Sequence, residues 1–180
     1  MKRILCLFLA LTMLLLFVGC SKDDGTPEGY KLASNDETCK YTLYVPETWI
    51  SETKDTNFTM ATVSTSDRSN VSMAQVTDVV SGESFADFWG RQKAQYTTLF
   101  GESFTVEKEA EAVKVGERSA FRCIFTATYG GVEYKYMQVF ITHTELLSAE
   151  LYVFTYTAEK AKYDGNLEKV NEVLSYIRWD

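Results

Sequence analysis

Histidine is nearly missing from this chain: His143 is the only one in 180 residues. No Gly-x-Ser-x-Gly elbow, no His-Glu-x-x-His pair and no phosphate-cradling glycine loop accompanies it. An activated serine needs a base that is itself held by partners, so the sequence argues against nucleophilic catalysis. A lone His near a strand end is more often a packed or solvated side chain than a general base. Basic charge is scarce as well. The chain carries 18 Lys and Arg against 25 Asp and Glu; removing Lys2 and Arg3 with a leader leaves 16 against 25, a formal charge of −9. That balance excludes nucleic acid and poorly suits recruitment to an anionic lipid surface. Internal repeats and low-complexity tracts are absent, and aromatics at 14% of the chain exclude disorder for the bulk of it.

A hydrophobic run long enough to cross a bilayer is also lacking. "ILCLFLALTMLLLFV" is free of charge from Ile4 to Val18, short of the roughly 20 apolar residues that span a hydrocarbon core. Behind Met1, Lys2 and Arg3 it reads as a signal peptide over residues 1–19. "FVGC" then places Gly19 before Cys20 in the pattern of a bacterial lipobox, with Phe17 where Leu is usual. Cys20 is therefore expected to be acylated and to anchor the chain in a lipid bilayer. "SKDDGTPEG" lacks apolar residues, so residues 20–28 have the composition of a tether. Ser21 occupies the position of an inner-membrane retention Asp, which leans toward an outer membrane if the cell has one.

Residues 29–180 are long enough for one domain with its own core. "YTLYVPETW" reads as a strand stopped by Pro46, and "NFTMATVS" with "VSMAQVTDVV" as a hairpin across "TSDRSN". "SAFRCIFTATY" and "VEYKYMQVFITH" flank Gly130 and Gly131, which supply the positive φ of a tight hairpin. "FTVEKEAEAVKV" should pair back onto the first of these, and "AELYVFTYT" closes the strand set. Helical spacing occurs twice. Phe85, Phe88, Trp89, Tyr96, Leu99 and Phe100 share one face, with Ser84 and Asp87 as a capping box and Gly101 past the end. Leu167, Val170, Val173, Leu174 and Ile177 share another, with Asp164 as its cap. Hairpin connections with two helices imply an α+β domain, an antiparallel sheet flanked by amphipathic helices.

"YTLYVPETW", "VKVGERSAFRCIFTATYGGVEYKYMQVF" and "YVFTYTAEKAKYD" with a closing amphipathic helix resemble the PsbP-like superfamily over nearly all of residues 29–179. That group includes the photosystem extrinsic protein PsbP, bacterial lipoproteins of the LpqN and DcrB type and a nuclear Ran-binding protein. The resemblance implies a helix-flanked antiparallel sheet and an accessory or binding role. It transfers no catalytic residue and no metal ligand.

Three further sets of residues bear on function. Glu107, Glu109 and Glu111 would share one face of a regular strand at about 6.6 to 7 Å spacing. A charged edge strand explains them better than a calcium site, and neither a metal nor another cofactor is implied. Cys39 and Cys123 remain in the mature domain; outside the cytoplasm a disulfide between them is permitted, while a buried free Cys packs well as a small hydrophobe. Tyr134, Tyr136, Tyr152 and Tyr156 belong to strands with aromatic faces, which are either core or, at the tyrosine-rich end, a binding surface. The expected function is thus a lipid-anchored, non-catalytic partner of another envelope component. The alternative is a small-ligand or hydrolytic pocket between sheet and helix near His143.

Overall fold

Gly130 and Gly131 adopt φ of 59° and 80°, the pair of positive values that a two-residue type I′ turn requires. They join the two long strands that the sequence marks, β8 (Arg118–Tyr129) and β9 (Val132–Glu145). The computed structural model describes residues 25–34, 39–55, 58–63, 68–145 and 148–179; the leader and Cys20 lie outside them. Around this hairpin an antiparallel seven-stranded sheet forms in the order β4-β5-β6-β10-β9-β8-β7. Its other members are β4 (Ile50–Asp55), β5 (Phe58–Thr62), β6 (Asn70–Val76), β7 (Thr105–Val115) and β10 (Ser148–Glu159). Helix α1 (Phe85–Phe100) covers one face, and a 3₁₀ turn at Gly101–Ser103 leads from it into β7. Helix α2 (Tyr163–Ser175) packs on the other face.

Strand alternation divides the interior into two cores. Tyr152, Phe154 and Tyr156 of β10, with Met137, Val139 and Ile141 of β9, meet Tyr163, Val170 and Val173 of α2. Phe140, Cys123 and Phe125 project to the opposite face and meet Phe88 and Trp89 of α1. The expected α+β class and both expected helices are present.

Local differences have identifiable causes. "YTLYVPETW" does not make one strand. β2 (Tyr41–Thr42) pairs with β11 (Arg178–Trp179), while β3 (Tyr44–Pro46) pairs with β1 (Tyr30–Leu32). Leu43 at the break is fully buried; its N–H donates to Ser34 Oγ at 2.8 Å and its carbonyl accepts from Ala33. β4, "ISETKD", lacks apolar alternation because it is an edge strand. Asp164 lies inside the first turn of α2 rather than capping it; Lys162 holds the cap position without a side-chain bond. Leu99 belongs to the apolar stripe of α1 by spacing but is exposed, and Phe100 makes the contact with Tyr136. Folded chain begins before Tyr30: the Gly25 carbonyl accepts from Arg178 Nη2 at 2.7 Å, and the Pro27 carbonyl from the Tyr30 N–H at 3.0 Å. Among the described residues no helix is long and apolar enough to cross a membrane.

Candidate functional site

The segment between β6 and α1 is held open by its own chemistry. Glu83 N–H donates to the Val80 carbonyl at 3.0 Å, closing a turn whose third residue, Gly82, has φ of 79°. Ser84 then caps α1: its hydroxyl accepts from the Asp87 N–H at 3.2 Å and donates to Asp87 Oδ2 at 2.6 Å. This is half of the expected capping box, because the Asp87 carboxylate takes the Ser84 hydroxyl rather than the Ser84 backbone. Two turns into the helix, Arg91 reaches back over the Phe88 ring. It donates to Glu83 Oε1 and Oε2 at 3.2 and 3.0 Å, to Asp78 Oδ2 at 2.8 Å and to the Asp78 carbonyl at 2.7 Å. The guanidinium beside Glu83 holds that carboxyl below its ordinary value. With both ends fastened, the loop presents Val79 and Val80 at 40% and 57% exposure.

Between this loop and the sheet lies a cleft of about 140 Å³. Phe121 of β8, Thr142 of β9 and Leu151 of β10 form its floor, and Phe85 and Phe88 its wall. The Phe85 and Phe121 rings stack at 4.1 Å with 9° between planes. Glu83, Glu150 and Val79 complete the rim. Glu150 accepts from Lys40 Nζ and from Tyr152 Oη, both at 3.0 Å. Ligand pockets for metabolite-sized molecules run from about 300 to 1,000 Å³, whereas a space of about 150 Å³ holds one benzene. The cleft therefore accepts one apolar side chain or a comparably small group.

The tyrosines singled out by sequence do not form one surface. Tyr152 and Tyr156 are core residues on the α2 face, with Tyr156 Oη donating to the Tyr163 carbonyl at 2.9 Å. Tyr136 is on the α1 face, its ring stacked on Phe125 at 4.8 Å, and Phe125 stacks in turn on Tyr96 at 5.0 Å. Tyr134 is buried beside Tyr136 and accepts from Arg68 Nη1 at 3.4 Å.

Cys39 and Cys123 are buried and not bridged to each other, one in each core, on opposite sides of the sheet. Burial pushes the Cys123 thiol up to about 11. Glu107, Glu109 and Glu111 do not converge. Two register shifts in β7 break the alternation that would align them. Glu107 pairs with Lys135 at 2.7 Å, Glu111 with Arg122 at 2.7 Å, and Glu109 with Lys93 of α1, across the sheet. His143 stands opposite Glu150 in the β9–β10 register, one residue beyond Thr142 of the cleft floor; its side chain lies outside the described atoms. Cys20 lies outside the described residues. The cleft had one trace in the sequence, the adjacent apolar pair Val79 and Val80 inside a polar loop.

No family model matches the sequence, and no curated protein matches it. Solved structures do. The Ran-binding protein Mog1p of Saccharomyces cerevisiae aligns at 8% identity over 83% of this chain and 95% of its own, with a TM-score of 0.56. Cyanobacterial PsbP from Synechocystis aligns at 12% identity over 84% and 93%, with a TM-score of 0.54. A Pseudomonas aeruginosa protein of unknown function, described as a putative regulator, aligns at 17% identity over 82% and 94%, with a TM-score of 0.51. At these identities the likeness is one of fold: the chain has the α+β architecture of PsbP and Mog1p.

Proposed function

We propose that this protein is a lipoprotein anchored through acylated Cys20 on the outer side of a bacterial membrane, where it binds another envelope component without catalysing a reaction. The cleft at the start of α1 carries the binding half of this reading. It is apolar, rimmed by fixed polar groups, flanked by exposed Val79 and Val80, and sized for a side chain rather than a metabolite. Exposed apolar residues around a formed concavity mark interaction sites more often than scattered ones do. The lipobox at Cys20 carries the location. The binding or accessory role is also the one that the PsbP-like resemblance implies.

A photo-crosslinking residue placed at Val80 in living cells should give a discrete protein adduct in the membrane fraction. The same residue at Tyr129, on the far hairpin, should not, and Leu151→Trp should erase the Val80 adduct. Equal adducts from the two positions, or survival of the adduct in Leu151→Trp, would contradict a cleft-centred binding site.

A second reading draws on the nearness of the cleft to His143: a pocket for a very small ligand, or a hydrolytic site. Replacing His143 with Ala decides it. A binding protein keeps its Val80 adduct in that variant, whereas a site that depends on the imidazole loses ligand binding or turnover.

A further inference from the structure

The cleft and Gly25, the first described residue, lie at the same end of the molecule. Arg178 bonds the Gly25 carbonyl, and the neighbouring Trp179 ring packs against Tyr152 at 5.1 Å. Tyr152 Oη donates to Glu150, which is already part of the cleft rim. Direct contacts thus run from the first described residue to the cleft. The β8–β9 hairpin tip is at the other end. From Phe121 and Phe140, which pair beside the cleft, to Tyr129 and Val132 at the turn, the strands run eight residues, about 26 Å at 3.3 Å per residue. Cys20 precedes Gly25 by five residues, a reach of at most about 18 Å.

The rim is acidic. Asp78 and Glu83 share the single cation of Arg91, Glu150 holds Lys40, and Asp87 holds the Ser84 hydroxyl. The Glu150 carboxylate turns to Tyr152 on the α2 face, but on the α1 side Asp78, Glu83 and Asp87 against the one cation of Arg91 leave a negative field beside the apolar opening, which favours a group that arrives with positive charge beside it.

We propose that the cleft takes one apolar side chain, flanked by Lys or Arg, from the membrane-adjacent segment of a protein in the same bilayer. This rests on the reading of Cys20 as the acylated anchor. A tether of this length holds the cleft beside the membrane surface, so a partner segment is met at high effective concentration only when it too lies near that surface. The side chain fills the 140 Å³ between Phe85, Phe88 and Leu151, while its basic neighbours face Asp78, Glu83 and Asp87.

The test uses the full acylated protein in phosphatidylcholine nanodiscs, with labelled Val and Leu methyl groups followed by NMR. Acetyl-Lys-Phe-Lys-amide should shift the Val79 and Leu151 methyls. Acetyl-Glu-Phe-Glu-amide and acetyl-Lys-Ala-Lys-amide should need at least about tenfold more peptide for the same shift. Leu151→Trp fills the cleft, and Val79→Lys adds a positive charge at an exposed rim position; each should weaken the first peptide at least about tenfold, as judged by the Val80 methyls. The same response to all three peptides, or an unchanged response in Val79→Lys, overturns the proposed partner chemistry. In a second arm, nitroxide-bearing headgroups should broaden Val79 and Val80 more than Val132 at the hairpin tip. Equal or reversed broadening overturns the membrane-adjacent placement. Failure of the protein to stay with the nanodisc overturns the Cys20 anchor instead, and leaves the peptide arm to decide the cleft.

Discussion

Trp89 and Tyr163 each carry a buried polar atom without a hydrogen-bond partner, the indole N–H of one and the hydroxyl of the other. Both side chains thus contribute through packing, and removing the polar atom alone should cost little. Trp89 lies against Phe125, Phe140 and Tyr96. Trp89→Ala should lower the unfolding free energy by about 3–5 kcal/mol, whereas Trp89→Phe should cost less than half as much in the same urea titration. Equal losses would mean that the indole N–H matters after all. Tyr163 and Tyr41 bear on pH. Burial is the main cause that raises both hydroxyls above the ordinary 10.0. A group raised on folding gives stability that is complete below its unfolded pKa and is lost as pH rises toward the folded one. The urea midpoint should therefore stay level from about pH 7 to 9 and fall above about pH 10. Tyr163→Phe should make that alkaline fall shallower while changing the midpoint at pH 7 little. An unchanged alkaline slope would show that Tyr163 ionises as freely as in the unfolded chain.

Strand β7 shows what an element does that its pattern does not announce. Its two register shifts place Ala110 at φ of 51°, the positive-φ residue other than glycine among the described residues. A backbone hydrogen bond from Ala110 reaches Cys123, which faces the second shift. A side chain in that region costs on the order of 1 kcal/mol, which glycine avoids. Ala110→Gly should therefore leave stability unchanged or raise it by up to about 1 kcal/mol. Ala112→Gly, two residues on in regular strand, should lower it by about 0.5–1 kcal/mol. Equal losses in denaturant titrations of the two variants would remove the strain. Legibility follows the same division. The β8–β9 hairpin, α1 and the pairing of β7 onto β8 were readable because glycines and apolar period mark them locally. The shifts in β7 were not, since one extra residue leaves composition untouched while reversing the face that Glu109 presents. The split of "YTLYVPETW" was hidden for a related reason: β2 finds its partner only at Arg178 and Trp179, far along the chain.

At the scale of the whole molecule, two cores on opposite faces of one sheet explain why most of the conspicuous aromatics are interior. Alternation puts Tyr152 and Tyr156 under α2 and Phe125 and Tyr136 under α1, so aromatic strand faces in such a fold signal two covering layers rather than an open surface. Outside the two cores lies, among other surface features of the described residues, a small cleft made by residues from β8, β9, β10 and the approach to α1. No single stretch of sequence contains that cleft, which is why only Val79 and Val80 hinted at it. His143 drew notice in the sequence as a singleton; the fold puts its strand position beside the cleft, although Thr142 supplies the floor. The PsbP-like architecture gives this arrangement its frame, and the proposed acylation of Cys20 would give it a location.

Location is the claim on which the rest depends, and the most direct test is the intact mass and membrane partition of the natively expressed protein beside a Cys20→Ala variant. The account predicts a wild-type mass that lacks residues 1–19 and carries acyl chains, found with membranes, and a variant that is released or left unprocessed. Equal, unlipidated masses with both proteins free of the membrane would contradict it.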